Sequence, residues 1–517
     1  MSNLRILTYN RTQFVWHQLI IIVFAGLVAA SFMFEWVPIK VLRYIAIIVL
    51  ATQVWLEIKT KQRLLFTSPL FLLSSLSLIF FSFLQGMTVY LSEIPGTSFI
   101  SAVGSDAERY IAVFAMTTLS THASILLYID TNSVTKQIVK IKTNPFILIF
   151  FIFAIIILTI AHVSYFYSPL DQTATFYNAL RHLSPPLQAF MLVYFIRWCA
   201  GNGKKFNLLL ALVFCISFAG MFAVGEGKIP IFIGMALLLY WLRLANISIK
   251  KTILSAIIFV ILAMAGLYVM LTIRSSNSSL AFFLNGPSVT QMSEIPITSN
   301  IPDVLKVPVL KLIWRQTDTI NCFKNVITTH WDEPFILSKQ FFWIKGLMPR
   351  IVWPEKPNLS LGQSYSYQYC ERVSYRSPMI LPRAYTSLES IWLEMNIMKS
   401  KKSRLRHVSH NSSITLLGQA VIQGGWIGLI LHAGILIAGL GGITWLSRKP
   451  LSLATASTAA LLPWLIDFDQ NFGMYVANAT KFFLVLLPLI FIVGLSEKNQ
   501  TVCRLTKMFS RQIEPRP

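Results

Sequence analysis

Charge is what this chain has least of. Only 13% of its 517 residues are charged, where a soluble domain averages about 25%. Acidic groups are the scarcer sign, with 21 Asp and Glu against 44 Lys and Arg. No stretch has the composition of a separate soluble domain. There are five cysteines and no metal-ligand Cys spacing, so no zinc site is expected. Walker loop, dinucleotide fingerprint, zincin motif and nucleophile elbow are all missing, which leaves nucleotide hydrolysis and proteolysis without support. No internal repeat is evident, which weakens the case for an inverted-repeat transporter. The net charge of +23 has no basic and aromatic motif on a soluble module beside it, so no nucleic acid is expected as a partner. Cytoplasmic loops and an anionic inner leaflet account for it instead.

Long apolar runs are what the chain has. Residues AVILMFWYC make up 55% of it, and runs of roughly 17–25 apolar residues recur, each able to cross a hydrocarbon core of roughly 30 Å. Backbone polar groups in lipid must be satisfied internally, so the spans are helices. The expected fold is all-α and polytopic, with membrane lipids as surroundings. Twelve spans are read at about 14–34, 40–57, 68–90, 109–129, 145–166, 184–199, 206–224, 228–245, 252–272, 424–446, 452–467 and 476–495. Met1–Arg11 is positive and precedes an apolar run of about 20 residues, which reads as a signal anchor and not a cleaved leader.

Loop charges orient the spans. Segments 1–13, 58–67, 130–144, 197–206, 243–251, 447–450 and 497–517 are net positive. The alternate loops hold Glu93, Asp106, Asp171, Glu226, Asp467 and Asp469. Both termini are therefore expected in the cytoplasm.

One stretch departs from the pattern. Residues 273–412 are polar, and they are expected as one large loop outside the cytoplasm. The domain plan is then helices one to nine over 1–272, the loop over 273–412, a docked segment and spans ten to twelve over 413–496, and a basic cytoplasmic tail over 497–517. Trp314, Trp331, Trp343 and Trp353 let the loop fold against the membrane, and Phe335 to Met348 is expected as an interfacial helix. The loop is long without being low-complexity, so it reads as functional. Its Arg and Lys content points to an anionic ligand.

Candidate site residues each carry two readings. Gly225-Glu226-Gly227-Lys228 is a short turn whose Glu and Lys face a cavity, or a tight turn with a solvated ion pair. Arg274 opens the loop, as a bidentate phosphate ligand or as a snorkelling cation. In the segment from Met348 to Pro357, Pro349 and Pro354 stiffen the backbone that carries Arg350 and Lys356. Such cations suit a pyrophosphate, and a Pro-rich surface loop is the bland reading. Tyr365, Tyr367, Tyr369, Tyr375 and Tyr385, with Arg372, Arg376 and Arg383, suit sugar rings or a loop packing its own aromatics. The run Lys399, Lys401, Lys402, Arg404 and Arg406 reads as solvated surface. His410 and Asn411 precede a glycine-interrupted membrane segment; residues 413–423 are too short to cross alone. His410 is a candidate general base for a hydroxyl, or a structural histidine. The other seven histidines read as structural. Asp467 and Asp469 lack a third ligand nearby, so no metal is assigned. Cys322 and Cys370 in the loop form a disulfide or remain two thiols.

The GEGK turn, Arg274, MPRIVWPEKP and HNSSITLLGQAVIQGGWIGL together resemble the bacterial O-antigen polymerase and ligase superfamily. The resemblance covers the span architecture and roughly residues 225–430. It implies a fold like that of the GT-C glycosyltransferases, in the bacterial inner membrane, with one large periplasmic loop. It implies glycosyl transfer from undecaprenyl-diphosphate-linked oligosaccharides with no metal and no cofactor, and it leaves room for a chain-length regulator as partner. His410, Arg274 and Arg350 then take catalytic places, and Lys228, Glu226, Lys356, Arg383, Tyr365 and Asn411 bind substrate. Asn411 and Gly425 stand farther apart than in the ligase pattern, which favours a polymerase. Lys228 stands where such proteins often carry Arg. A ligase is the first alternative, and a flippase or transporter the second. Mid-span charges are few, which counts against the second.

Overall fold

The computed structural model describes residues 11–60, 63–79, 106–128, 145–167, 174–202, 208–223, 228–245, 249–276, 302–344, 369, 415–468 and 470–513. Among these the regular structure is helical and no strand occurs. The helices are α1 (Arg11–Phe34), α2 (Ile39–Lys59), α3 (Pro69–Ile79), α4 (Asp106–Leu127), α5 (Pro145–Tyr167), α6 (Ala174–Gly201) and α7 (Leu208–Ala223). They continue with α8 (Lys228–Leu244), α9 (Ile249–Ser276), α10 (Asp303–His330), α11 (Leu337–Gln340), α12 (Thr415–Leu446), α13 (Leu453–Leu465) and α14 (Phe472–Ile513). Six of them, α1, α2, α4, α9, α12 and α14, are long and apolar enough to cross a membrane. The chain is a multi-pass membrane protein, all-helical among the described residues.

Side-chain placement agrees with lipid as solvent. On α9, Ile253, Leu254, Ile257, Ile258 and Ile261 are all exposed, as are Phe146, Phe150, Phe153 and Ile157 on α5. Faces this apolar are not left open to water. The inward faces are built differently. Ile21, Ala25, Val28 and Phe32 form one buried stripe on α1, which lies along α4. On α4 the buried set includes Ala107, Ala112, Ala115 and Ala123. Small residues let backbones approach where lipid removes the hydrophobic drive for helix association. A Leu at Ala25 would overpack that seam, at about 1–3 kcal/mol.

The 13-residue α13 sits at the centre, with Thr455 through Leu465 all buried. At 1.5 Å per residue it is only about 20 Å long. It is enclosed by α6, α8 and α14, so its short length leaves no backbone facing lipid.

The stretch read as loop contains a 28-residue helix, α10. It packs on α4, α9 and α12. Its buried positions Ile320, Phe323, Val326 and Ile327 recur at three and four, a helical stripe on an amphipathic helix. The interfacial helix expected at Phe335 to Met348 is a single turn, α11, among the described residues. Ile336 is extended (φ −114°, ψ 113°) and ends any continuation from α10. Residues 345–348 lie outside the description.

Candidate functional site

α12 is broken ten residues from its start. Gly424 has φ −173° and ψ 33°, and Gly425 has φ 58° and ψ −147°. The second conformation is essentially confined to glycine. Its cause is close contact with the chain after α10. The Trp426 N–H donates to the Trp331 carbonyl at 3.1 Å. A Cβ on Gly425 would meet that carbonyl oxygen, and would lie 2.8 Å from the Glu333 oxygen.

The piece before the break is buried from Thr415 to Ile422. The Leu416 N–H donates to Phe468 O at 3.1 Å, and the Gly473 N–H donates to Gln419 Oε1 at 2.9 Å. Gln340 Nε2 donates to Gln423 O at 2.9 Å and to Ile336 O at 3.1 Å. Gln340 Oε1 and Trp343 Nε1 are buried with no partner among the described residues. Buried polar atoms of this kind are uncommon in folded proteins.

A proton-handling array stands beside the break. His330 Nε2 is 2.8 Å from the Tyr369 hydroxyl, and Nδ1 is 3.4 Å from Glu333 Oε2. Lys339 Nζ approaches the other Glu333 oxygen at 4.0 Å. A neutral imidazole donates through one nitrogen and accepts through the other, so this ring can pass a proton between phenol and carboxylate. Trp331 stacks on Tyr110 at 4.5 Å and ties the array to α4. His432 differs. Its nitrogens face only carbonyls, Gly428 O at 2.8 Å and Gln340 O at 3.2 Å, and Phe342 and Phe472 enclose the ring. It braces the break. Asp467 is buried and accepts from Gln470 Nε2. No group of three His, Cys, Asp or Glu suited to a metal occurs among the described residues.

Arginines at the opposite end bind backbone carbonyls of other helices, although Arg243 Nε is buried with no partner among the described residues. Arg243 donates to Thr67 Oγ1 and to the carbonyls of Ser447 (2.6 Å) and Arg448 (2.9 Å). Arg63 donates to the carbonyls of Leu242 and Ala245, and burial pushes its guanidinium below the ordinary value. Arg197 holds Leu451 O at 2.7 Å and Glu497 at 2.6 Å. These carbonyls cluster at helix C-termini and the α12–α13 turn, where acceptors are orphaned and cations are favoured. Just inside lies a buried pair. His122 Nε2 is 2.5 Å from Glu57 Oε1, and Ser68 Oγ is 2.8 Å from His122 Nδ1. Glu57 also accepts from Gln53 Nε2 and the Leu65 N–H, at 2.9 and 2.8 Å.

Of the residues singled out in the sequence, Glu226, Arg350, Lys356, Tyr365, Arg383, His410 and Asn411 lie outside the described residues. Lys228 and Arg274 are described by backbone alone. Lys228 opens α8 and Arg274 lies in the last turn of α9. The two helices pack together, and α8 finishes at the arginine end. Lys228 and Arg274 therefore lie toward the end that holds the break. His330, Glu333, Gln340 and Gln419 were not picked out as site residues. The one local signal was the His330-x-x-Glu333 spacing beside Trp331. No family model, curated protein or solved structure matches the chain.

Proposed function

We propose that this chain is an oligosaccharide repeat-unit polymerase. It transfers a growing glycan from undecaprenyl diphosphate onto a new lipid-linked repeat unit. The observation that carries the reading is the break at Gly424–Gly425. It lies inside the motif that bears the family resemblance, and the His330 array and the unpartnered Gln340 oxygen lie against it. In this reading the protein has twelve spans with a GT-C-like arrangement in a bacterial inner membrane. Its termini are cytoplasmic, and the broken-helix end faces outward.

The chemistry is one displacement. The acceptor hydroxyl oxygen attacks the anomeric carbon of the donor glycan. The bond from that carbon to the diphosphate breaks, and its electron pair leaves with the lipid diphosphate. Arg274, Arg350, Lys228 and Lys356 stabilise the charge that develops there. The hydroxyl proton goes to His410 or Glu226, and the His330–Glu333 pair is a further acceptor at the same end. Tyr365, Arg383 and Asn411 contact sugar.

The test is polysaccharide length on a gel. Cells lacking the protein are complemented with wild type, Arg274→Ala, Arg350→Ala or His410→Ala. The expected result is collapse to a single repeat unit, restored only by wild type although all variants are expressed. A normal ladder in the deletion strain sinks the reading, and polymer made but left unattached moves it to a ligase.

One observation favours a second reading. Glu57 and His122 are fully buried between candidate spans, and ionisable pairs inside membranes mark proton pathways by default. A proton-coupled flippase for the same lipid-linked glycan would use such a pair. Loss of all glycan outside the cell on deletion selects it.

A further inference from the structure

Cys322 on α10 is fully buried and disulfide-bonded. We infer that its partner is Cys370, and that the bond pins the polar stretch to α10 on the extracytoplasmic face. Five cysteines are present, and neither Cys199 nor Cys215 is in a disulfide. Cys370 and Cys503 remain. Cys503 lies on α14 beyond Glu497, which pairs with Arg197 at the arginine end. Gly473, at the start of the same helix, is tied to Gln419 at the broken-helix end. At 1.5 Å per residue, Cys503 stands roughly 45 Å from Gly473 along the axis. Cys322 is only about 14 Å of helix from Trp331, and Trp331 sits against the break. Roughly 30 Å of axial distance remains, against the 4.4–6.8 Å between Cα atoms that a disulfide allows.

That leaves Cys370. Its neighbour Tyr369 is held on α10: Asn325 Nδ2 donates to the Tyr369 carbonyl at 2.6 Å. That carbonyl belongs to the peptide joining Tyr369 to Cys370, and Asn325 is one turn from Cys322. The bond therefore also keeps the Tyr369 hydroxyl on His330.

Formation of the bond is thiol–disulfide exchange. Two cysteine thiols give two protons and two electrons to the disulfide of an oxidised dithiol oxidoreductase, which leaves as a dithiol. Such oxidants act outside the cytoplasm. The bond thus orients the broken-helix end independently of any Lys and Arg count, and it stands whether or not the protein transfers sugars.

The experiment is peptide mapping of the protein purified from cell membranes without reductant, after alkylation with N-ethylmaleimide in denaturant. The expected result is a Cys322–Cys370 peptide pair that separates on reduction, with alkyl groups on Cys199 and Cys215. Alkylated Cys322, or a pair joining Cys322 to Cys503, overturns the assignment. Cys370→Ser should leave Cys322 fully alkylated; Cys322 still protected in that variant also overturns it. In a strain lacking its extracytoplasmic dithiol oxidase the pair should be lost, and its persistence there overturns the orientation.

Discussion

At the arginine end, Arg63, Arg197 and Arg243 each reach carbonyls that belong to another helix or its turn. At the broken-helix end the carboxamides of Gln340 and Gln419 do similar work. Among the described residues, Gln340 Oε1 and Trp343 Nε1 keep no partner there, and neither do Arg243 Nε and Gln53 Oε1 at the arginine end. The first end spends its charges on holding helices together. The second holds its backbone in a conformation essentially confined to glycine, whereas Arg63 at the first end sits in the milder left-handed region (φ 51°). Backbone strain that persists in a folded protein marks places selected for something other than stability. The difference points to the broken-helix end as the place for chemistry.

The sharpest way to break this comparison is Glu57→Ala. It removes one acceptor from Gln53, His122 and the Leu65 N–H together, and breaking a buried pair costs about 3–5 kcal/mol. Thermal unfolding in detergent should show that loss, with Glu57→Gln losing less. If Glu57→Ala is as stable as wild type yet inactive, the arginine end is a working site and the contrast fails. Next comes His330→Phe. Loss of a positioned acid–base group lowers rates by roughly 100-fold or more, so the polymer ladder should shorten while the unfolding temperature stays near wild type. An unfolding temperature that drops with the ladder would make His330 a packing residue.

Gly425→Ala tests the break itself. The backbone conformation alone should cost about 1–3 kcal/mol, before the contact with the carbonyls of Trp331 and Glu333. Gly434→Ala on the same helix meets nothing within 4 Å and is the neutral control in the same melt. Equal behaviour of the two would mean that the break is incidental. The smallest effect expected is Ser452→Ala. Ser452 caps α13 by accepting from the Thr455 N–H at 3.1 Å, and its loss should lower stability by about 1 kcal/mol without changing the ladder.

How much of this was legible varies by residue. Membrane helices announce themselves through long apolar runs, as in α1 and α9. α10 did not, because it is amphipathic and its signal is a spacing, not a run. Arg63, Arg197 and Arg243 were read as loop charges that orient the spans. The structure buries all three, because helix C-termini from distant parts of the chain converge there. Gly424, Gly425 and Gly428 were visible as interruptions. Their spacing says nothing of the Trp331 and Glu333 carbonyls that need the room.

The sequence by itself determined the solvent and the class. A chain with this little charge and this many apolar runs must put helices in lipid, since each helix satisfies its own backbone. Only the tertiary structure decided which polar groups meet. Glu57 and His122 are 65 positions apart, and Tyr369 comes 39 after His330. Hydrogen bonds act over about 3 Å, and no local pattern encodes which distant residues come that close. That choice is made when the helices pack.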